Sequence, residues 1–470
     1  MTVLVLEAST SSAKAMVIDT DTSITNSVVK PFTLQQSNNA LKILDLVLQA
    51  GREVLAGHQS IDAIALGSTW HGLLLCDDLM NPISPLWTWA DGFADSICKN
   101  LRKNTRYTQD FYMESGCTVH ASYPFFKLKH LLQTNQLTEQ YRIADQGSHI
   151  FHALTGQWAT SLSMASGTGF LNLNTRSYSR RVYDELGLDQ DRQLPALQDR
   201  KYSAPLTSHA ATLLGVQSGI PVLPCYPDGG LNQVGSGALE GRIMTLSMGT
   251  SGAMRLSVTE PKLSPTQSTW CYLSPKGYLA GAATSGCSNC VQWAKERLFA
   301  TSAIFEEIEA PVRASNAVPI FLPFLFGERS PGWDAARRGG FLNLHASHSA
   351  QDQYQAVLEG VIYNLKQCYS ELQKSAGPID TIKLSGGVLH SGIWSQMCTD
   401  ILGAPLAIDA SVQSSLMGGA ILALELLGDK MPSTLVQDSG RTIYPNEEVH
   451  DLYQRRFEEY LYWYEKTASY

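Results

Sequence analysis

An alternation of apolar and small polar positions opens the chain. Val3-Leu4-Val5-Leu6 runs into the cluster Ser9-Thr10-Ser11-Ser12, and an apolar pattern resumes through Ile18. This predicts a strand, a tight turn and a strand. The same order recurs at Ile243-Met244-Thr245-Leu246, crosses Gly249-Thr250-Ser251-Gly252 and continues to Val258. Leu6–Ala13 and Leu246–Ala253 share Leu, Thr, Ser and Ala in register, 240 residues apart in a chain of 470. A repeat at half-length predicts two related α/β halves.

Other patterns fill in these halves. Tyr354, Val357, Leu358, Val361, Leu365 and Tyr369 have helical spacing within Gln351–Gln373. Thr381–Leu384 reads as a buried strand, Ser385-Gly386-Gly387 as a turn and Gly392–Leu402 as a helix. In the first half, Ile61–Leu66 reads as a strand and Phe125–Gln133 as a helix. Pro221–Gly230, rich in Pro and Gly, reads as the boundary region, which divides the chain into domains 1–239 and 240–470. Tyr453–Tyr464 reads as an amphipathic aromatic helix that docks on the body.

Composition narrows the class. With 35 Lys+Arg against 43 Asp+Glu, the net charge is −8, and no basic run exists to bind a nucleic-acid backbone. The longest apolar stretch, Ala317–Phe326, holds two prolines and is too short to span a bilayer, and the N-terminus lacks a signal peptide's pattern. A cytoplasmic enzyme is expected, with a homodimer compatible with the sequence. Nine dispersed cysteines argue for reduced thiols, including the lone Cys287/Cys290 pair.

Hydroxyl and glycine residues in a tight turn leave backbone N–H groups open to an anion, so two facing copies could hold one polyphosphate. Ser385-Gly386-Gly387 ahead of a helix offers a further anion site. There is no Gly-Lys pair for a P-loop and no GxSxG elbow; Gly235-Ser236-Gly237-Ala238-Leu239-Glu240-Gly241 misses the dinucleotide fingerprint by one position, leaving a nicotinamide-dependent dehydrogenase weakly supported. Asp228, in Tyr226-Pro227-Asp228-Gly229-Gly230, is the candidate acid to act on a second substrate; the alternative is a turn Asp that caps backbone N–H groups. Taken alone, His71 and Trp70 are packing residues and Lys14 a solvated strand residue.

In order along nearly the whole chain, the residues resemble the FGGY carbohydrate kinases of the actin-like ATPase superfamily. Glu7–Lys14 is similar to the first phosphate motif, Trp70-His71-Gly72 and Trp89-Ala90-Asp91 to sugar-side motifs, and Ala165–Gly169, Gly249-Thr250-Ser251, Pro323–Pro331 and Ser385-Gly386-Gly387 to further blocks. Pro227–Asn232, and Val119-His120 with Pro124 and Lys127, look most like gluconate kinases. The resemblance implies two duplicated ribonuclease H-like domains around a cleft, with ATP and Mg²⁺ and phosphorylation of a sugar hydroxyl. A sugar acid such as gluconate leads, with a ketopentose (xylulose or ribulose) or a polyol as alternatives. It implies Asp228 as the catalytic base and a metal contact with Glu7. Thr10, Ser11, Lys14, Gly249, Thr250, Ser251, Gln292, Gly386 and Gly387 fall on the ATP side, and Trp70, His71 and Asp91 on the sugar.

Four positions depart from the family pattern. Glu7 replaces Asp, Ser9 replaces Gly, Phe93 replaces Arg and Gln413 replaces Glu. Glu7 displaces a carboxylate by about one bond length, which matters to a near-octahedral cation. If the turn requires positive φ at Ser9, the cost is about 1 kcal/mol. These changes motivate a second expectation, a catalytically weakened relative that binds sugar or nucleotide; the persistence of Asp228 and Gly249-Thr250-Ser251 favours an active kinase. Two domains around a nucleotide are expected to close on substrate.

Overall fold

The computed structural model describes residues 1–470 apart from 22–23, 34, 57–59, 138–139, 241, 409–412, 432–439 and 469–470. The last glycine of the near-fingerprint, Gly241, therefore lies outside the described residues. The first sheet is built from β1 (Thr2–Ala8), β2 (Ser12–Asp19), β3 (Ile24–Pro31), β4 (Ala63–Ser68), β5 (Ala204–Pro205), β6 (Pro221–Val222) and β7 (Tyr226–Pro227). The second comprises β8 (Ile243–Met248), β9 (Gly252–Val258), β10 (Trp270–Ser274), β11 (Gly277–Thr284), β12 (Thr381–Ser385), β13 (Leu406–Ile408) and β14 (Thr442–Ile443). The main helices are α1 (Ala40–Val54), α2 (Pro124–Gln133), α3 (Asp228–Gly235), α4 (Ser288–Leu298), α5 (Ala350–Ala376), α6 (Gly392–Leu402), α7 (Ser414–Leu426) and α8 (Glu447–Lys466).

The two sheets repeat one topology. In the first, β3, β2 and β1 are antiparallel, and β4 and then β6 follow parallel to β1. In the second, β11, β9 and β8 are antiparallel, with β12 and β13 parallel to β8. The repeat read from two short motifs thus extends to whole sheets. Both predicted strand–turn–strand units form, as do the helices over Phe125–Gln133, Gln351–Gln373 and Gly392–Leu402.

Period-2 alternation explains how β1 stays buried. Leu4 and Leu6 enter the core beneath α1, whose Ile43, Val47, Ala50 and Val54 form its apolar stripe. Val3 and Val5 point the other way, onto Leu416, Ala420 and Leu424 of α7. A helix from the second half of the chain therefore packs on the first sheet. In return, Gln233 of α3 accepts a hydrogen bond from Thr245 of β8 at 2.8 Å, and α3 and α7 pack against each other. The docking expected of the C-terminal helix also holds, with Tyr453, Phe457 and Tyr460 of α8 buried in the second core.

The boundary region expected at Pro221–Gly230 is built of regular structure: it carries β6 and β7, both parallel to β4, and the start of α3. Its prolines are tolerated because both strands are only two residues long. Gly235 ends α3 and Gly237 lies beyond it, so neither opens a helix and the strand–turn–helix context of a dinucleotide fingerprint is missing. After Gly386 the chain forms a 3₁₀ turn, Gly387–His390, before α6 starts behind the N-cap Ser391. All nine cysteines are buried and unpaired, as expected of packed thiols. Among the described residues no helix is long and apolar enough to cross a membrane.

Candidate active site

The turns at β1–β2 and β8–β9 both open onto one cleft of about 380 Å³. Ala8 pairs with Ala13 and Met248 with Gly252, so the second turn is one residue tighter than the first. Glu7, Thr10, Ser11 and Lys14 line the cleft from the first half, Gly249, Thr250, Ser251 and Gly386 from the second, and Asp228 from the N-terminus of α3. Thr250 is also part of an adjoining apolar cavity of about 550 Å³ lined by Gln292, Gly387, Phe305 and Trp394. A polar cleft opening into an apolar slot suits the phosphates and the base of one nucleotide. Neither Ser9 nor its counterpart Gly249 takes a positive φ, so serine costs the turn no left-handed strain. Instead the Ser9 hydroxyl donates to Glu7 Oε1 at 2.6 Å.

Asp228 sits where the backbone demands close approach. A Cβ on Gly229 would stand 2.6 Å from the Arg255 guanidinium, and one on Gly235 would stand 1.8 Å from the Ser414 carbonyl oxygen. Gly229 and Gly235 let α3 press against β9 and α7. Burial and the neighbouring Glu7 carboxylate push the Asp228 carboxyl up to about 6, against the opposing pull of Arg255 and Lys14. Glu7 is buried as well, and burial alone raises it. Lys14, whose Nζ lies 2.8 Å from Glu7 Oε1, outweighs this together with Ser415 and Ser9 and holds Glu7 below its ordinary value.

Glu7 Oε2 is buried and accepts no hydrogen bond, while Asp228 is destabilised by the same carboxylate. Among the described residues no cluster of three or more His, Cys, Asp or Glu forms a cage. A partnerless carboxylate oxygen on Glu7 and the destabilised carboxylate of Asp228, beside two turns rich in N–H and O–H donors, fit a hard divalent cation that takes its remaining ligands from substrate and water.

The sugar-side residues are placed differently. Trp70 is a core residue: its Nε1 donates to the Ser163 carbonyl at 2.9 Å and its ring packs on Trp270 and Tyr272. His71, at φ +69°, holds the Gly167 carbonyl through Nδ1 at 2.5 Å, and its ring packs in edge contacts with Tyr123 and Tyr272. Burial and Arg329 hold its pKa well below the ordinary value, so the ring is neutral. Asp91 accepts from the Thr88 backbone N–H at 2.6 Å. None of the three lines the cleft, whereas Trp89 does. Phe93 packs between Trp87 and His130, and Gln413 caps α7 and donates to Ser27.

Ser385, in the predicted Gly turn, lines the cleft, and so do Arg255 and Ser415, to which the sequence patterns assign no role. Arg255 carried a signal: it is the one charge within the buried strand Gly252–Val258. Arg329 lies buried over the Trp89 ring at 5.6 Å, and was noted only as part of a block.

Comparison with known proteins places this geometry. The N-terminal domain of the FGGY family of carbohydrate kinases matches residues 2–235, and its C-terminal domain matches residues 244–425. The chain is 26% identical to a gluconokinase of Bacillus subtilis over 88% of its own length and 84% of the relative's. Among solved structures it is similar to a gluconate kinase from Lactobacillus acidophilus, at TM-score 0.91 and 28% identity, covering 100% of this chain and 99% of that one. A ligand-bound xylulose kinase from the same organism matches at TM-score 0.89 and 28% identity, covering 98% and 97%. With both domains matched, two sheets of one topology and paired turns around a cleft, the chain belongs to the FGGY family of carbohydrate kinases.

Proposed function

We propose that this protein transfers the γ-phosphoryl group of ATP to a hydroxyl of a sugar acid, with gluconate the first candidate. The observation that carries the reading is a buried group of cations on the sugar side. Lys127 is 0% exposed, burial lowers its pKa to about 7, and its Nζ donates to the Ser122 carbonyl at 2.6 Å. Arg329 and a His120 that burial keeps neutral lie beside it, and the Arg102 Nη2 and Arg329 Nε atoms have no hydrogen-bond partner. Among the described residues none of Arg102, Lys127 and Arg329 forms an ion pair with a carboxylate, so a carboxylate on the substrate supplies what the protein withholds. The similarity to gluconate kinases supports the same choice; equal identity to a xylulose kinase keeps a ketopentose as the second reading.

In the proposed mechanism Asp228 accepts the proton of the attacking hydroxyl. Its raised pKa gives it proton affinity that an ordinary carboxylate lacks. Thr10, Ser11, Gly249, Thr250 and Ser251 offer N–H and O–H donors to the phosphates, with Lys14 adding positive charge. Gln292 and Gly387 flank the base, and His71 and Asp91 orient the sugar. Mg²⁺, held by Glu7 and Asp228, supplies charge neutralisation of the phosphates when bound. The protein works as domains 1–239 and 240–470 in the cytosol.

A panel of gluconate, xylulose, ribulose and glycerol with ATP tests this. Gluconate-dependent ADP release is expected, with Lys127→Met raising the gluconate KM by about 100-fold, the loss of one buried charge-assisted contact. Faster turnover of a neutral sugar, unaffected by Lys127→Met, overturns the sugar-acid assignment.

A further inference from the structure

A further cavity, of about 470 Å³, lies apart from the cleft and its adjoining slot and is walled by both halves of the chain. The first half supplies Ser163, Arg176, residues 198–201 and Tyr226; the second supplies the β10–β11 turn, residues 273–277. Its walls carry four cations, Arg176, Arg200, Lys201 and Lys276, against one acid, Asp199, in a chain whose net charge is −8. Lys276 is neutralised by Glu425. Asp199 is turned into its own loop, accepting the Lys201 backbone N–H at 2.8 Å. Among the described residues Arg176, Arg200 and Lys201 have no carboxylate within ion-pair distance. Arg176 is braced rather than neutralised: its guanidinium lies over the Tyr278 ring at 5.6 Å and donates to that hydroxyl at 3.3 Å.

We propose that this cavity binds a small phosphate monoester, such as a sugar phosphate, and that its occupancy is linked to the state of the cleft. Guanidinium forks and an ammonium match a phosphate dianion, and Gln198, Ser274 and Tyr226 furnish partners for hydroxyl groups. The volume falls within the range of small-molecule sites.

One hydrogen bond ties the two halves together at this cavity, and one strand leads from it to the cleft. Ser163, on the cavity wall, holds Trp70 through its carbonyl and donates to the Leu273 carbonyl at 2.9 Å. Tyr226 precedes Asp228 by two residues on β7. An anion touching both halves stabilises their mutual placement, and anything the cleft binds in that placement is favoured with it. The inference holds for any cleft substrate and does not depend on the sugar-acid reading.

Calorimetric titration of glucose 6-phosphate and of inorganic phosphate into the full-length protein tests the site. The cleft is either empty or saturated with sugar, Mg²⁺ and a non-hydrolysable ATP analogue. One salt-sensitive site for glucose 6-phosphate is expected with the cleft filled, weakened at least ~10-fold in the Arg200→Glu/Lys201→Glu variant, as for lost charge-assisted contacts. That variant keeps its sugar kinase activity when no phosphate ester is added. Binding should be about 5-fold tighter with the cleft filled than empty. No binding below about 10 mM, a affinity under about 3 kcal/mol, or equal binding by the variant, overturns the site. Inorganic phosphate binding as tightly as glucose 6-phosphate overturns the ester, and equal affinity in the two cleft states overturns the linkage.

Discussion

Asp228 shows how one residue can be made reactive at the expense of the fold. Its carboxyl is raised from an ordinary 3.8 to about 6. A group whose folded pKa is raised contributes stability that is present below its unfolded pKa and lost as pH rises through the folded one. At pH 7 the ionised Asp228 therefore weakens the substrate-free protein. Asp228→Asn should stabilise the protein at pH 7 by up to about 3 kcal/mol at 1.36 kcal/mol per pKa unit, read as a higher apparent Tm, with the gain vanishing below pH ~4. The same variant should lose phosphoryl transfer by a factor of ~10³; thermal melts and ADP-release assays at several pH values check both. A base must be ionised to act, so kcat/KM should rise with pH through about 6. Glu7→Gln removes the like charge and should move that limb to lower pH, whereas Arg255→Met should move it higher. Limbs that stay in place would mean another group governs the profile.

At the scale of elements, the contact between α3 and α7 positions this carboxylate. A Cβ on Gly418 of α7 would stand 2.0 Å from the Leu231 carbonyl oxygen of α3, a backbone atom that moves only with its helix. Gly418→Ala should cost about 1–3 kcal/mol as an overpacking substitution. By shifting α3 it should also lower kcat more than it raises KM. Denaturant unfolding together with steady-state kinetics reads both; a variant that loses stability with unchanged kcat would show that α3 does not register on α7. The short strands β6 and β7 teach a related lesson. Pro221–Gly230 has the composition of a linker, yet the backbone groups beside its prolines pair with β4, because a two-residue strand needs few N–H donors.

For the whole molecule, helices exchanged between halves and the cleft between their turns favour a motion in which the halves close on substrate. Small-angle scattering should show a smaller radius of gyration with sugar and a non-hydrolysable ATP analogue than without; superimposable profiles would indicate a fixed cleft. The sequence by itself determined the two-half plan, both turns that line the cleft and the Asp-Gly-Gly start that puts Asp228 among them, because periodicity and turn chemistry are local properties written in neighbouring residues. Only the tertiary structure decided that Trp70 is core, that Ser9 bears no left-handed strain, that Arg255 faces Asp228 and that Ser415 faces Glu7. It also decided that a helix of the second half covers the first sheet. Burial, like charge and close approach arise between residues hundreds of positions apart, and no local pattern encodes them.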